Sequence, residues 1–229
     1  MSLATAIRNV VLSGPEVTRL ASLRRSTSLF SQDQAGDSVY LIDEGLVKLT
    51  RMNNRGNRII LTIRGPGELA GEEALADTRP TYYTDAEVLT TATIFRIPRA
   101  LLSRAVTSNP EVAASLMTYL LEKRLALAEK VELLCLHDVE YRILHYLAAL
   151  STLVKPLEDG SGHQVPITQL ELADLIGATR ETTSTTLNQL ERRGLVKLSR
   201  RMLTIPSPNA VRGAAMAKVA QETVITGSA

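Results

Sequence analysis

The sequence predicts an α+β chain in three zones: a sandwich or barrel of short strands, one long helix, and a helix-turn-helix with a hairpin behind it. Three observations carry that prediction. Short apolar runs separated by turn signals recur up to about residue 98. A stretch without Gly or Pro follows, from Glu111 to Leu136. Beyond it, two apolar-periodic segments flank the three-residue turn Gly177-Ala178-Thr179. With 229 residues, 45% of them apolar and 22% charged, the chain has material for one large or two small globular domains and is not expected to be disordered.

The strand zone reads as follows. Val39-Tyr40-Leu41-Ile42 is an apolar run after Gly36-Asp37. Leu46 to Arg51 partly alternates apolar and polar, as a half-buried strand does. Asn53-Asn54-Arg55-Gly56 signals a turn, and Arg58 to Ile63 returns as the second arm of a hairpin. Gly65-Pro66-Gly67 closes it. Asp85 to Leu89 and Thr93 to Ile97 supply further strands.

The long helix opens at Asn109-Pro110-Glu111, with Asn as cap, Pro in the first turn and Glu near the positive end of the dipole. Apolar residues fall on two stripes: Met117, Leu121, Ala128, Val131 and Cys135, and again Leu116, Leu120, Leu127 and Leu134. A helix of about 25 residues is near 38 Å long, more than one small barrel needs. One stripe is therefore expected on the chain's own barrel and the other on a second copy, giving a homodimer; a helix buried wholly within one chain is the alternative. Cys135, on an apolar stripe, is expected to be a buried, inert thiol.

In the third zone Asp138 caps a helix to about Leu150, and a polar loop runs from Glu158 to His163. Thr168-Gln169-Leu170-Glu171 is a capping box opening the helix Gln169–Ile176, whose Leu170, Leu172, Ala173 and Ile176 are expected to face inward. Thr179 caps a second helix from Arg180 to about Arg193, ended by Gly194. Leu195 to Leu198, Ser199-Arg200-Arg201 and Met202 to Ile205 form a short hairpin, the wing. Residues 206–229 hold at most a weak helix over Ala210–Gln221 before fraying.

Leu187, Leu190 and Leu195 mark the core side of the second helix, leaving Arg180, Glu181, Ser184, Thr185, Asn188 and Gln189 outward. In such motifs the N-terminal part of this helix enters the major groove, where Arg pairs with guanine O6 and N7 and Glu accepts from cytosine N4. Between Arg180 and Arg201 six basic residues stand against two acidic ones, in a chain whose total is only +2. That local charge suits phosphate contacts. Thr179, at the cap, and Thr168 and Gln169, at the start of the first helix, complete the expected contact set, with Arg200 and Arg201 at the wing tip.

The run from Ile167 to Val196 resembles the DNA-binding motif of the cyclic-AMP receptor protein and fumarate–nitrate regulator (Crp/Fnr) superfamily of bacterial transcription regulators. Gly36 to Val47 is similar to its early strands, Gly67-Glu68-Leu69-Ala70-Gly71-Glu72 to the start of its phosphate-binding cassette, and Asn109-Pro110 with Glu129-Lys130-Val131 to its dimerisation helix. The resemblance covers about residues 15–205, in order. It implies an N-terminal double-stranded β-roll over 1–108, a dimerisation helix over 109–137, a winged helix-turn-helix over 138–206 and a tail over 207–229. It further implies a homodimer on an inverted-repeat operator in double-stranded DNA, with RNA polymerase as a protein partner, and it puts Arg180, Glu181 and Thr185 at base-contacting positions. Many members carry Arg where this chain has Thr185, and Thr cannot fork onto guanine.

The effector site departs further. The resemblance points to Gly71, Glu72, Arg79 and Thr81 as effector-contacting positions. The Arg-Ser or Arg-Thr pair of the family's nucleotide binders falls on Pro80-Thr81, with Arg79 one place early, and a one-residue slip turns a side chain to the opposite face. Leu127 and Ala128 stand where those members use hydroxyls. Cyclic AMP is therefore not expected as effector, and the identity of any small-molecule effector stays open. A regulator answering cyclic nucleotides through a non-standard phosphate site, or a nucleotide sensor without DNA binding, are the alternatives.

Other chemistry is excluded on ligands. One cysteine cannot form an intrachain disulfide or a four-thiolate centre. No His precedes His137, which removes a cupin-type metal enzyme and haem ligation from the strand zone. No triad, Walker or zinc pattern is present, so neither an enzyme nor a cofactor is expected. No apolar run approaches the roughly 20 residues of a membrane span, and the first residues do not read as a secretory signal. A reducing, cytoplasmic setting is the expectation.

Overall fold

In the computed structural model, which describes residues 2–76 and 81–226, the strand zone begins with a helix. α1 (Leu3–Val10) is capped by the Ser2 hydroxyl, which accepts from the Thr5 amide, and it buries Leu3, Ala6 and Ile7. Eight residues give too short a period to read in sequence, and a helix of this length is stabilised by tertiary burial rather than by propensity.

Eight strands follow: β1 (Thr18–Leu23), β2 (Ser28–Phe30), β3 (Ser38–Glu44), β4 (Val47–Met52), β5 (Arg58–Arg64), β6 (Leu69–Ala70), β7 (Asp85–Val88) and β8 (Ala92–Pro98). They form two antiparallel four-stranded sheets, ordered β1-β8-β3-β6 and β2-β7-β4-β5. Tyr40, Ile42 and Ile94 from the first meet Val47, Leu49 and Val88 from the second in one apolar interior. This is the double-stranded β-roll that the resemblance implies. Asn53 Oδ1 accepts from the Arg55 and Asn57 amides and shapes the β4–β5 turn.

The other face of β3 and β8 is covered by helices. α2 (Arg99–Ser108) and the first half of α3 (Pro110–Leu136) bring Leu102, Val112 and Leu116 onto Val39, Leu41 and Ile97, with Leu3 and Ile7 of α1. β3 is thus buried on both faces, which is why its sequence is a continuous apolar run.

The Asn109 carboxamide oxygen accepts from the Glu111 and Val112 amides, so α3 starts where its cap predicts. Along α3, Val112, Leu116 and Tyr119 are buried, while Met117, Leu121, Leu127 and Val131 are each more than half exposed. Three expectations change here. The stripes do not divide as expected: Leu120 and Leu127, on the stripe of buried Leu116, are exposed beside Met117, Leu121 and Val131, because the helix turns only its Val112, Leu116 and Tyr119 side to the barrel. Cys135 is exposed, because its spacing places it on the outward stripe with Met117, Leu121 and Val131. Leu134 is half-buried within the C-terminal unit, lying against Gly177 rather than outward.

The chain forms two compact units, Met1–Ala128 and Glu129–Ala229. In the second, Asp138 caps α4 (Val139–Ser151) by accepting from the Tyr141 amide at 2.9 Å. Then come β9 (His163–Val165), α5 (Gln169–Ile176), α6 (Arg180–Arg192), β10 (Lys197–Leu198), β11 (Leu203–Ile205) and α7 (Pro208–Thr226). The wing is a three-stranded sheet ordered β10-β11-β9. β9 begins at His163, the last residue of the expected polar loop; three residues beside Gly160 and Gly162 carry no alternation that marks a strand. α7 is longer than the weak helix expected. It buries Val211, and Lys218 pairs with Asp138 at 2.8 Å and Glu140 at 3.3 Å at the start of α4. Burial alone would raise both carboxyls; the hydrogen bonds from Lys218, with Arg193 on Glu140, hold them below the usual range.

Candidate nucleic-acid interface

The helix-turn-helix is held by its own caps. Thr168 Oγ1 accepts from the Glu171 amide at 3.1 Å, and the Thr168 amide donates back to Glu171 Oε2 at 2.9 Å. Both halves of the capping box are therefore made. α5 ends at Gly177, whose φ of +64° is the left-handed conformation that glycine adopts freely. Thr179 then caps α6 by accepting from the Thr182 amide. The inward residues of α5 are Leu172, Ala173, Leu175 and Ile176, whereas Leu170 is 47% exposed. Leu170 lies in the first turn beside the capping box, and the helix rotates Leu175 into the core in its place.

On α6, Thr183, Leu187 and Leu190 are buried. The outward row runs through Arg180, Glu181, Thr185, Asn188, Gln189 and Arg192, all exposed, with Ser184 half-buried at its edge. These residues recur at spacings of three and four and so share one helix face. Thr179 stands exposed at its head, and Gln169 is half-exposed at the head of α5. The Thr168 hydroxyl is committed to Glu171. At the wing tip Arg200 and Arg201 are exposed, and the Ser199 hydroxyl donates to the Met202 carbonyl at 2.7 Å to close the turn between them.

The basic run divides by partner. Arg193 is spent internally on Glu140. Arg180, Arg200 and Arg201 enter no ion pair among the described residues, so their charge is available outward. Glu191 accepts from the Leu198 amide at 2.7 Å and ties the end of α6 to the wing. That role was not legible in sequence, since nothing there links positions 191 and 198.

The β-roll positions do not assemble in the same way. Gly71 has φ +79°, and an added Cβ would meet the Tyr82 ring at 2.8 Å. Tyr82 stacks on Phe30 with ring centres 3.9 Å apart, and its hydroxyl donates to the Ser38 carbonyl at 2.7 Å. The Glu72 side chain is 12% exposed and paired with Arg64 at 3.0 Å. Burial pushes its carboxyl above the usual range, against the lowering effect of Arg64. Thr81 is exposed and bridges to Ala35. Arg79 and Pro80 lie outside the described residues. Tyr82, Phe30 and Arg64 occupy the region of Gly71 and Glu72; no sequence motif links positions 30, 64 and 82, which meet only in the fold. Among the described residues no His, Cys, Asp and Glu cluster could hold a metal ion, and no helix is long and apolar enough to cross a membrane.

Residues 20–109 match the cyclic nucleotide-binding domain family and residues 141–213 the Crp-like helix-turn-helix domain family. The cyclic AMP receptor protein of Thermus thermophilus is 34% identical over 176 residues, spanning 74% of this chain and 76% of that protein. The chain belongs to the Crp/Fnr family of transcription regulators. The CRP-like cAMP-activated global transcriptional regulator of Mycobacterium tuberculosis is 28% identical over 182 residues, 79% of this chain and 81% of that protein. Among solved structures, the c-di-GMP responsive global regulator CLP of Xanthomonas campestris superposes with a TM-score of 0.75 at 22% identity, covering 89% of this chain and 99% of that one. FixK2 of Bradyrhizobium japonicum gives 0.72 at 19% identity, covering 86% and 96%. The homologues are DNA-binding transcription regulators.

Proposed function

We propose that this Crp/Fnr-family chain is a cytoplasmic, sequence-specific regulator that binds an inverted-repeat operator as a homodimer, without control by cyclic AMP. The observation that supports this best is the outward row of α6, where Arg180 and Glu181 stand exposed at its first turn with a guanine-reading and a cytosine-reading group side by side. The exposed stripe Met117, Leu121, Leu127 and Val131 on α3 supports the dimer, because an isolated chain would leave it in water. The ring of Tyr82 over Gly71 and the engagement of Glu72 by Arg64 speak against a cyclic nucleotide at that place. Occupancy of the operator is then set by protein abundance or by a different ligand, and the bound dimer acts on transcription through RNA polymerase.

The test is a binding selection from random duplex DNA with the full chain, with and without cyclic AMP. The expected motif is an inverted repeat whose half-sites are about 10 base pairs apart, the same in both arms. An asymmetric motif, or binding that requires cyclic AMP, would overturn the corresponding part of the proposal.

A further inference from the structure

The last carbonyls of a helix have no partner within it. In α5 the turn serves one acceptor: the Gly177 and Ala178 amides both donate to the Ala173 carbonyl. The two final residues are served by side chains from elsewhere. Lys130 Nζ, on α3, donates to the Leu175 carbonyl at 2.8 Å. Arg142 Nη1, on α4, donates to the Ile176 carbonyl at 2.7 Å. Two cations from two different helices thus sit on the negative end of α5, where its dipole favours them. One turn beyond Lys130 on the same helix, Leu134 Cδ2 stands 2.8 Å from where a Cβ on Gly177 would be. α3 therefore meets the turn of the motif twice, once by a directed hydrogen bond and once by packing.

Lys130 is 5% exposed, and its ammonium lies 5.2 Å from the centre of the Tyr146 ring. A buried lysine is a poor choice for stability alone. Desolvation holds its pKa down to about 8, and an apolar side chain of the same length would avoid that cost. What the lysine adds is direction, since a hydrogen bond to one carbonyl fixes the end of α5 where apolar contact alone would let it slide.

We propose that Lys130 is the positioning residue through which α3 sets the attitude of the recognition motif, with Arg142 as the second anchor. This rests on the reading of α6 as the base-reading helix and of α3 as the seam of a dimer. In such a dimer the two α6 helices must reach major grooves about 34 Å apart. Both are carried on α5, and α5 is held to the seam helix at the Leu175 carbonyl. A small rotation there moves both reading faces out of register with a symmetric operator, while leaving charge-driven binding to unrelated DNA untouched.

The test compares full-length wild type, Lys130→Met and Lys130→Arg in three measurements: thermal midpoint, Kd for the selected operator, and Kd for unrelated DNA. Methionine fills the space of the lysine stem but cannot donate. The expected result for Lys130→Met is an equal or higher midpoint, unchanged binding to unrelated DNA, and about a tenfold loss of operator affinity, the scale of one charge-assisted hydrogen bond. Lys130→Arg should recover most of that loss. Operator affinity equal to wild type in Lys130→Met overturns the proposal, and so does a loss that merely follows a fallen midpoint or that arginine does not restore. Arg142→Met, at the less buried anchor, carries the same expectation should Lys130→Met not fold. A wild type that selects no symmetric operator removes the underlying reading itself, an outcome separate from any difference between the variants.

Discussion

Arg180 and Arg200 are both exposed arginines of the same unit, yet their surroundings assign them different work. Arg180 sits in the first turn of α6 on the face shared with Glu181 and Thr185; Arg200 sits at the wing tip. Arg180→Ala should cost about 1–3 kcal/mol per half-site and relax preference at one symmetric pair of positions. Arg200→Ala should weaken all sequences alike and flatten the salt dependence. A binding selection with salt titration separates the two, and the assignment of α6 is wrong if Arg200→Ala, not Arg180→Ala, alters the motif. Lys130 makes a prediction of another kind. Its pKa is about 8 in the fold against an ordinary 10.5, so between these values the native chain has released a proton that the unfolded chain keeps. The burial cost of Lys130 is then present in full below pH 8 and relieved as pH rises toward 10.5, on the order of 3 kcal/mol by linkage. Urea unfolding from pH 7 to 10 should show wild-type stability rising relative to Lys130→Met; parallel profiles would contradict it.

At the scale of elements, what could be read from sequence is what a cap announces. Asn109, Asp138, Thr168 with Glu171, Thr179 and Gly177 each mark a helix boundary by local chemistry, and each is found making the bonds its type implies. α1, β9 and the full length of α7 were not legible, because what holds them is distant: Val39 and Leu41 under α1, the β11 ladder beside β9, Asp138 and Glu140 under Lys218. The cations that finish α5 were hidden for the same reason, standing 45 and 34 residues from their acceptors. Gly177 shows how a local and a distant demand combine. Its positive φ is local, and the approach of Leu134 is not. Gly177→Ala should therefore lose about 1–3 kcal/mol, part from backbone strain and part from the clash. Adding Leu134→Ala should return only the clash share, giving a non-additive double-mutant cycle in urea unfolding. Full additivity would show that α3 does not press on the turn.

At the scale of the whole molecule, the two faces of α3 have different tasks. Val112, Leu116 and Tyr119 serve the β-roll, where the Tyr119 hydroxyl both accepts from the Leu69 amide and donates to its carbonyl. The adjoining face, through Met117, Leu121, Leu127 and Val131, has no such cover in one chain. A carboxylate at Leu127 would be well solvated in a monomer. In a two-fold seam it would bury an unpaired charge, a cost of several kcal/mol that the symmetry applies twice. Leu127→Glu should therefore leave each chain folded but shift sedimentation from dimer to monomer. Operator affinity should fall further than for any single contact residue, because two half-sites no longer bind as one ligand. Ala126→Glu is the matched control: Ala126 is also exposed on α3 but lies nearly half a turn from the centre of that stripe. It should leave both the dimer and the operator affinity as they are. If both variants sediment as wild type, α3 is not the seam, and the exposed stripe needs another explanation.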